Sequence, residues 1–410
     1  MKDTPASAPN RPAAPVRRAD MPRSMLWLFA IASGLSVANV YYAQPLLDAL
    51  SRDFGISHAA IGGVVTATQI GCAVALLLLV PLGDRMDRRR LMAIQLLALV
   101  LALVVVGLAQ SALVLLIGVL AVGLLGTAMT QGLIAYAASA SAAHERGRVV
   151  GAAQSGVFVG LLLARVYAGG VSDLAGWRGV YLTAAALMLA IALPLWRRLP
   201  ALAAVPDEMG YLRLIASMLT LLLQEKVLQV RGVLAMLMFA ALNIFWSALV
   251  LPLSAPPYGF SHTAIGAFGL VGAIGALAAA RAGQWADRGQ GERTSAVALA
   301  LLLLAWWPLS LMALVVGIIL LDIGAQALHV TSQIMIFLTR RDAYSRLIGL
   351  YMLFYAVGSG LGAIGATATY AHAGWQAVCL LGAAVSLLAL LFWWLTRRVS
   401  SMAATHTQDR

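Results

Sequence analysis

Phe54-Gly55-Ile56-Ser57-His58-Ala59-Ala60-Ile61-Gly62 returns as Tyr258-Gly259-Phe260-Ser261-His262-Thr263-Ala264-Ile265-Gly266, at an offset of 204 residues. Asn39 and Tyr42 lie ahead of the first copy, and Asn243 and Trp246 ahead of the second at the same offset. Gly83-Asp84-Arg85 is echoed by Ala286-Asp287-Arg288 at offset 203. Arg148 and Gly151 match Arg346 and Gly349, and Ala175-Gly176-Trp177 matches Ala373-Gly374-Trp375, both at offset 198. Two halves of equal length and parallel hydropathy are a common plan of membrane carriers, with the substrate site at the repeat interface. The pattern points to a carrier rather than an enzyme.

Composition agrees. The chain is 61% hydrophobic and 11% charged, with a mean hydropathy of +0.88, whereas a soluble domain carries about 25% charged residues. A run of about 20 apolar residues crosses a hydrocarbon core of about 30 Å as a helix. Twelve such runs are predicted, at 25–47, 59–82, 91–109, 112–136, 149–172, 179–196, 232–253, 262–280, 294–307, 309–338, 347–370 and 375–395. The fold class expected is therefore an all-α integral membrane protein, with twelve helices in two six-helix pseudo-symmetric bundles.

The net charge of +12 is not a nucleic-acid footprint. With the N-terminus placed inside, the inner gaps and tails hold 25 of the 28 basic residues. The outer side keeps Arg52 and Arg178, and Arg165 falls within a span. Basic loops stay cytoplasmic, so both termini are expected in the cytoplasm and the protein in the cell (inner) membrane. Its partners are then the lipid bilayer and a small molecule, with no nucleic acid and a monomeric state.

Residues 1–24, rich in Pro, Ala and Arg, lack the apolar core and cleavage site of a signal peptide and read as a disordered cytoplasmic tail. A six-helix bundle over 25–196, a cytoplasmic linker over 197–231, a second bundle over 232–398 and a tail over 399–410 complete the organisation. Within the linker, 211–230 mixes apolar residues with Arg213, Glu225 and Lys226. It reads either as an amphipathic helix on the inner membrane surface or as a flexible connection. The fall in offset to 198 places a shortening between Asp287 and Arg346, and predicts a short ninth helix. Cys72 and Cys379 lie in apolar runs, so neither a disulfide framework nor a metal site is implied. No nucleophile, Walker-type or cofactor-binding pattern is present either, so no enzyme activity and no cofactor are expected.

The loop after the second run reads Gly83-Asp84-Arg85-Met86-Asp87-Arg88-Arg89-Arg90, and its counterpart Gly283-Gln284-Trp285-Ala286-Asp287-Arg288-Gly289. Here the chain resembles the major facilitator superfamily, whose signature at this loop is G-x-x-x-D-R-x-G-R-R. The ending Tyr41-Tyr42-Ala43-Gln44-Pro45-Leu46-Leu47 looks like the sugar- and drug-efflux branch, which includes drug:proton antiporters. In that family the Asp and Arg residues form a charge-assisted cluster that holds helix ends together in the outward-open state. The resemblance assigns a cytoplasmic gate to Asp84, Arg85 and Arg88, and to Gly283, Asp287 and Arg288. Val80 stands at the signature's first Gly and Asp87 at its turn Gly.

Two charges fall deep within spans, Arg165 in the fifth and Asp322 in the tenth. Such residues cost at least about 2.5–3.5 kcal/mol at mid-bilayer and are functional by default. Asp322, Gln326, His329 and Gln333 recur at helical spacing on one face, so the stripe should face a wet cavity or a partner. Family resemblance implies that the first, fourth, seventh and tenth helices line the cavity. Those helices carry Asn39, Tyr42 and Gln44, then Thr127 and Gln131, then Asn243, Trp246 and Ser247, besides Gln326, His329 and Gln333. Asp322 is readable as a proton carrier, as the ion-pair partner of Arg165, or as the site of a cationic substrate; His329 is the alternative proton carrier. The antiporter pattern R-x-x-Q-G survives only as Gln131-Gly132, with Ala128 at the Arg position, and the fifth span lacks that branch's Gly-Pro.

Glycines crowd the second, fifth, eighth and eleventh spans, where small residues let helices approach closely. The expectation is a secondary carrier of a small organic solute working by alternating access, with proton-coupled efflux foremost. Uptake by a symporter, a facilitator, and a membrane sensor that transports nothing are the rivals.

Overall fold

The computed structural model describes residues 21–82, 86–142, 145–199, 210–306, 310–339 and 344–405. Among them every regular element is helical, and eight helices have the length and hydropathy of a membrane crossing. The first four spans are Arg23–Tyr41, Gly63–Leu82, Arg88–Gly107 and Ala112–Ala140. The continuous helix Arg146–Arg198 holds two spans and turns at Gly176, where φ is 69°. Tyr344–Thr405 does the same at Gly374, also at φ 69°. Left-handed backbone at these two turns favours glycine, which explains why Ala-Gly-Trp recurs in both halves.

The seventh span is Lys226–Ser254, and the eighth combines His262–Val271 with Ala273–Trp285. The ninth is the helix Gly291–Leu304, only 14 residues long. The tenth is Leu311–Thr339. These make twelve spans in two six-helix bundles. The first span ends earlier than the apolar run: Pro45 sits in a 3-10 turn, Gln44–Leu46, that leads into a separate helix Leu47–Phe54. A proline in a helix interior removes a hydrogen bond and clashes with the preceding turn.

Glycine sets the helix crossings. A side chain at Gly34 would strike the Gly156 carbonyl, so the first and fifth spans touch backbone to backbone. Gly71 and Gly123 do the same for the second and fourth, and Gly358 and Gly362 for the seventh and eleventh. At the end nearer the termini, fully buried Arg231 pairs with Glu292 and donates to Ser295 Oγ at 2.8 Å. Trp393 Nε1 donates to the other Glu292 oxygen at 2.7 Å. Glu292 therefore ties the seventh, ninth and twelfth spans together.

The linker contains a helix, Tyr211–Gln224. Its apolar face, with Met218 and Leu221, packs on Leu347, Leu350 and Tyr351 of the second bundle. Tyr211 OH donates to the Leu78 carbonyl of the first bundle at 2.7 Å, while Arg346 donates to Ser217 Oγ at 3.0 Å. The described part of the connection thus includes a helix bound to both halves.

Candidate functional site

Gln44 and Asn243, not counterparts of each other in the repeat, meet across the two halves: Gln44 Nε2 donates to Asn243 Oδ1 at 2.8 Å. The Gln44 oxygen in turn accepts from Arg165 at 2.9 Å. The Arg165 guanidinium lies over the Trp246 ring, 4.1 Å from its centroid, and 5.8 Å from that of Tyr41. Arg165 is 8% exposed and its Nε has no partner. A desolvated cation over an indole gains about 2 kcal/mol from the ring quadrupole, which offsets part of the cost of burying a charge.

Arg165 reaches this position because the eighth span has no side chains there. Gly266 packs on the Arg165 backbone and Gly269 on its aliphatic stem, where a Cβ would lie 3.2 Å from Cδ. Gly272, three residues from Gly269 on the same side of the helix, and Gly275 a turn further on receive Asp322 of the tenth span; a Gly275 Cβ would lie 3.0 Å from the Asp322 Cβ. One bare face of the eighth span therefore carries both intramembrane charges, about a turn apart. They interact electrostatically, but no ion pair within 4 Å joins them among the described residues. Arg165 spends its hydrogen bond on Gln44 instead.

The polar stripe of the tenth span forms on one continuous helix. His329 bonds Tyr351 OH through Nδ1 at 2.9 Å and Gln333 through Nε2 at 3.2 Å. Phe239 stands edge-on to the imidazole at 5.4 Å. Gln326 Oε1 is buried without a partner. The stripe therefore engages the eighth span at Asp322 and the seventh and eleventh spans at His329.

Other residues named from the sequence fall in different surroundings. Asn39 is buried and donates to the Leu35 carbonyl, leaving Oδ1 unpaired. Ser247 is fully buried with an unpaired Oγ. Thr127 lies beside the buried Cys72 thiol of the second span. Gln131 lines a small groove of the first bundle with Arg88 and Gln95. Tyr42 points into the first bundle, packed against the rings of Tyr167 at 5.1 Å and Tyr181 at 6.4 Å. The neighbouring Tyr41 takes the position between the halves: its hydroxyl bonds that of Tyr355 in the eleventh span. A one-residue step turns a helical side chain by about 100°, so the choice between Tyr41 and Tyr42 was not fixed by the repeat.

Of the residues assigned to the inner gate, Gly83, Asp84, Arg85 and the side chain of Asp287 lie outside the described residues. Arg88 donates to the Ala135 carbonyl at 3.0 Å and Ser139 Oγ at 2.6 Å, tying the third span to the fourth. Gly283 packs on Val330 and Ile334, and Arg288 is exposed. Asp87 caps the third span, accepting from Arg89 N–H at 2.9 Å; an N-cap acid satisfies a free helix donor. That accounts for an acid where the signature has glycine.

Hydrogen bonds join the halves from the Tyr41–Tyr355 level to the end remote from the termini, named the outer end after the orientation expected from the basic loops. Thr66 donates to the Gly360 carbonyl at 2.7 Å, and Gly62 N–H to Thr367 Oγ1 at 3.1 Å. Beyond them His262 Nε2 lies 2.8 Å from Asp48 Oδ1. The outer end is closed in this conformation. Asp48, Asp173, Tyr355 and Gln69 belong to this seam and carry no sequence pattern of their own.

The family model described as Major Facilitator Superfamily matches residues 26–315. The uncharacterized transporter YgaY of Escherichia coli O157:H7 is 40% identical over 376 residues, covering 90% of this chain and 95% of that one. Among solved structures, a bacterial homolog of the human lysosomal transporter Spinster, in an inward-facing and unoccupied conformation, superposes with a TM-score of 0.74 at 16% identity, covering 94% of this chain and 98% of that one. The nucleoside transporter NupG gives a TM-score of 0.70 at 16% identity, over 90% and 98% of the two chains.

Proposed function

The chain belongs to the Major Facilitator Superfamily, and we propose that within it this protein exports a small organic solute in exchange for protons. Alternating access opens the midplane to one side at a time, with the basic loops and both termini on the cytoplasmic side of the inner membrane. The observation that carries the reading is the shared glycine face of the eighth span. It holds Arg165 from one half and Asp322 from the other within electrostatic reach without an ion pair.

Such an arrangement has two discrete settings. With the outer end closed, Arg165 is retained by Gln44 and Trp246. When the halves rock, Gln44 leaves Asn243 and Trp246 leaves the guanidinium, because these contacts cross the interface. Arg165 keeps Gln44 of its own half but loses the indole face, and ionised Asp322 becomes its charge partner. A proton on Asp322 removes that pair and favours the closed outer end, while solute competes for the same polar groups. Coupling thus requires a carboxyl at 322, not merely a polar side chain. Asp322→Asn should abolish uphill transport in proteoliposomes while leaving solute exchange in place. An Asn variant that still concentrates solute against its gradient refutes the assignment.

A further inference from the structure

The repeated Ser-His pair does different work in its two copies. Ser261 caps the eighth-span helix, accepting from Ala264 N–H at 3.2 Å, and His262 is the first residue of that helix. Its Nε2 lies 2.8 Å from Asp48 Oδ1 and its Nδ1 3.3 Å from Asp173 Oδ1. Its backbone N–H donates to Asp173 Oδ1 at 3.1 Å. Thr263 donates to Asp173 Oδ2 twice, from N–H at 2.8 Å and from Oγ1 at 2.6 Å. Both carboxylates belong to the first half and the imidazole to the second, so the cluster bridges the outer seam.

The repeat itself does not demand this. His58, the counterpart of His262, is exposed. At the offsets that align the two halves, Asp48 corresponds to Pro252 and Asp173 to Ala371. One copy of the motif has acquired two acids opposite its histidine, and the other has none.

The proton count follows from hydrogen-bond chemistry. Ionised carboxylates only accept, and a neutral imidazole has one N–H and one lone pair. A neutral ring between Asp48 and Asp173 satisfies one carboxylate and turns a lone pair on the other. An imidazolium donates to both. The charged groups around it are few. Asp48 is shared with Arg52 at 2.9 Å, and Asp173 comes from the end of the fifth span. Asp53, nearby in sequence, is engaged by Arg178 and Trp177. The 3-10 turn Gln44–Leu46 and the outer half of the seventh span bring no charged residue. The tenth span brings Asp322, which sits deeper, against Gly272 and Gly275.

We propose that His262 is a proton-binding latch on the outer face: a proton taken from the outer solution bridges Asp48 and Asp173 and holds the outer end shut. Opening pulls the imidazole from both carboxylates, so the proton is held more tightly in the closed state than in the open one. By linkage, the latch is fully engaged below the pH at which the open-state imidazole titrates. It is lost as pH rises through the closed-state titration. Each tenfold tightening of the proton on closure multiplies the closed-to-open ratio tenfold. The latch senses the outer solution and is separate from the proton proposed to act at Asp322.

The test is the distance between spin labels at Gln110→Cys and Ala373→Cys, exposed positions at the outer ends of opposite halves, with Cys72 and Cys379 replaced by Ser. Between pH 8 and pH 5 the short-distance population should grow about tenfold or more. His262→Gln should flatten that response, and so should Asp173→Asn, which keeps an acceptor but drops the charge. Made in an Asp322→Asn background, which takes the other carboxyl proposed to titrate with closure out of the measurement, the same two changes should abolish what remains of the response. A pH-independent wild type overturns the proposal even if the variants fail to fold. So does a His262→Gln protein with the wild-type response, in either background.

Discussion

Replacing Gly62 by alanine should push the outer end open, whereas the same change at its neighbour Gly63 should do nothing. A Cβ on Gly62 would lie 2.8 Å from the Ala363 carbonyl carbon of the other half, and closer still to the Ala363 oxygen and Thr367 Oγ1. A Cβ on Gly63 would have no heavy atom within 4 Å. Carbon atoms pack at about 3.5–4.0 Å, so the Gly62 variant forces the second and eleventh spans apart by roughly 1 Å. The obstacle is backbone, which cannot rotate away. Overpacking of this kind costs typically about 1–3 kcal/mol. Because the contact crosses the interface, that cost falls on the closed outer end and not on either bundle alone. At about 1.4 kcal/mol per decade, the closed-to-open ratio should fall roughly 5- to 150-fold. The displacement also strains the Gly62 N–H bond to Thr367. Labelling rates of single cysteines placed along the outer half of the seam report the shift. Equal labelling of Gly62→Ala and Gly63→Ala would refute the reasoning that these glycines set the approach of the halves.

Trp246→Ala should weaken outer closure by about 2 kcal/mol through loss of the cation–π contact with buried Arg165, read as faster outer labelling than in a variant that truncates its neighbour Phe245 instead. Glu292→Gln should lower stability, because it strands fully buried Arg231 without a counter-charge. Glu292 itself is 27% exposed, so the cost should fall below about 3–5 kcal/mol, the figure for a pair buried on both sides; a thermal melt in detergent that does not move contradicts this. Tyr211→Phe removes a single hydrogen bond from the linker helix to Leu78. It should therefore cost about 1 kcal/mol and raise protease cleavage within the linker, while Arg346→Ala should do the same from the other half.

The fold was legible because the chain states it twice. Repeated hydropathy gave the helices, and the paired Ala-Gly-Trp segments became the paired turns at Gly176 and Gly374. The drop in offset correctly located a short helix at Gly291–Leu304. The candidate site was legible only where chemistry is rare. Asp322 and Arg165 stood out as charges in apolar runs, but their actual arrangement depends on glycines of a third helix, which register shows and composition does not. Tyr41 was passed over for Tyr42 because helical phase cannot be assigned to one residue near a proline-induced break. Arg231 read as a loop residue enforcing topology. It is buried because the seventh helix begins at Lys226 and Glu292 comes to meet it. The outer latch was hidden for a different reason. His262 lies in the repeat, but Asp48 and Asp173 have no acidic counterparts at the repeat offsets, and only the tertiary fold brings three parts of the chain together.

The central claim is proton coupling through Asp322, and substrate-elicited proton flux tests it most directly. Proteoliposomes carrying a pH-sensitive dye would be challenged with a panel of sugars, nucleosides, amino acids and cationic drugs. The account predicts that at least one solute drives protons in the direction opposite to its own movement, and that Asp322→Asn removes this flux while tracer exchange of the same solute persists. Tracer equilibration without proton movement, or an undiminished flux in the Asn variant, would contradict it.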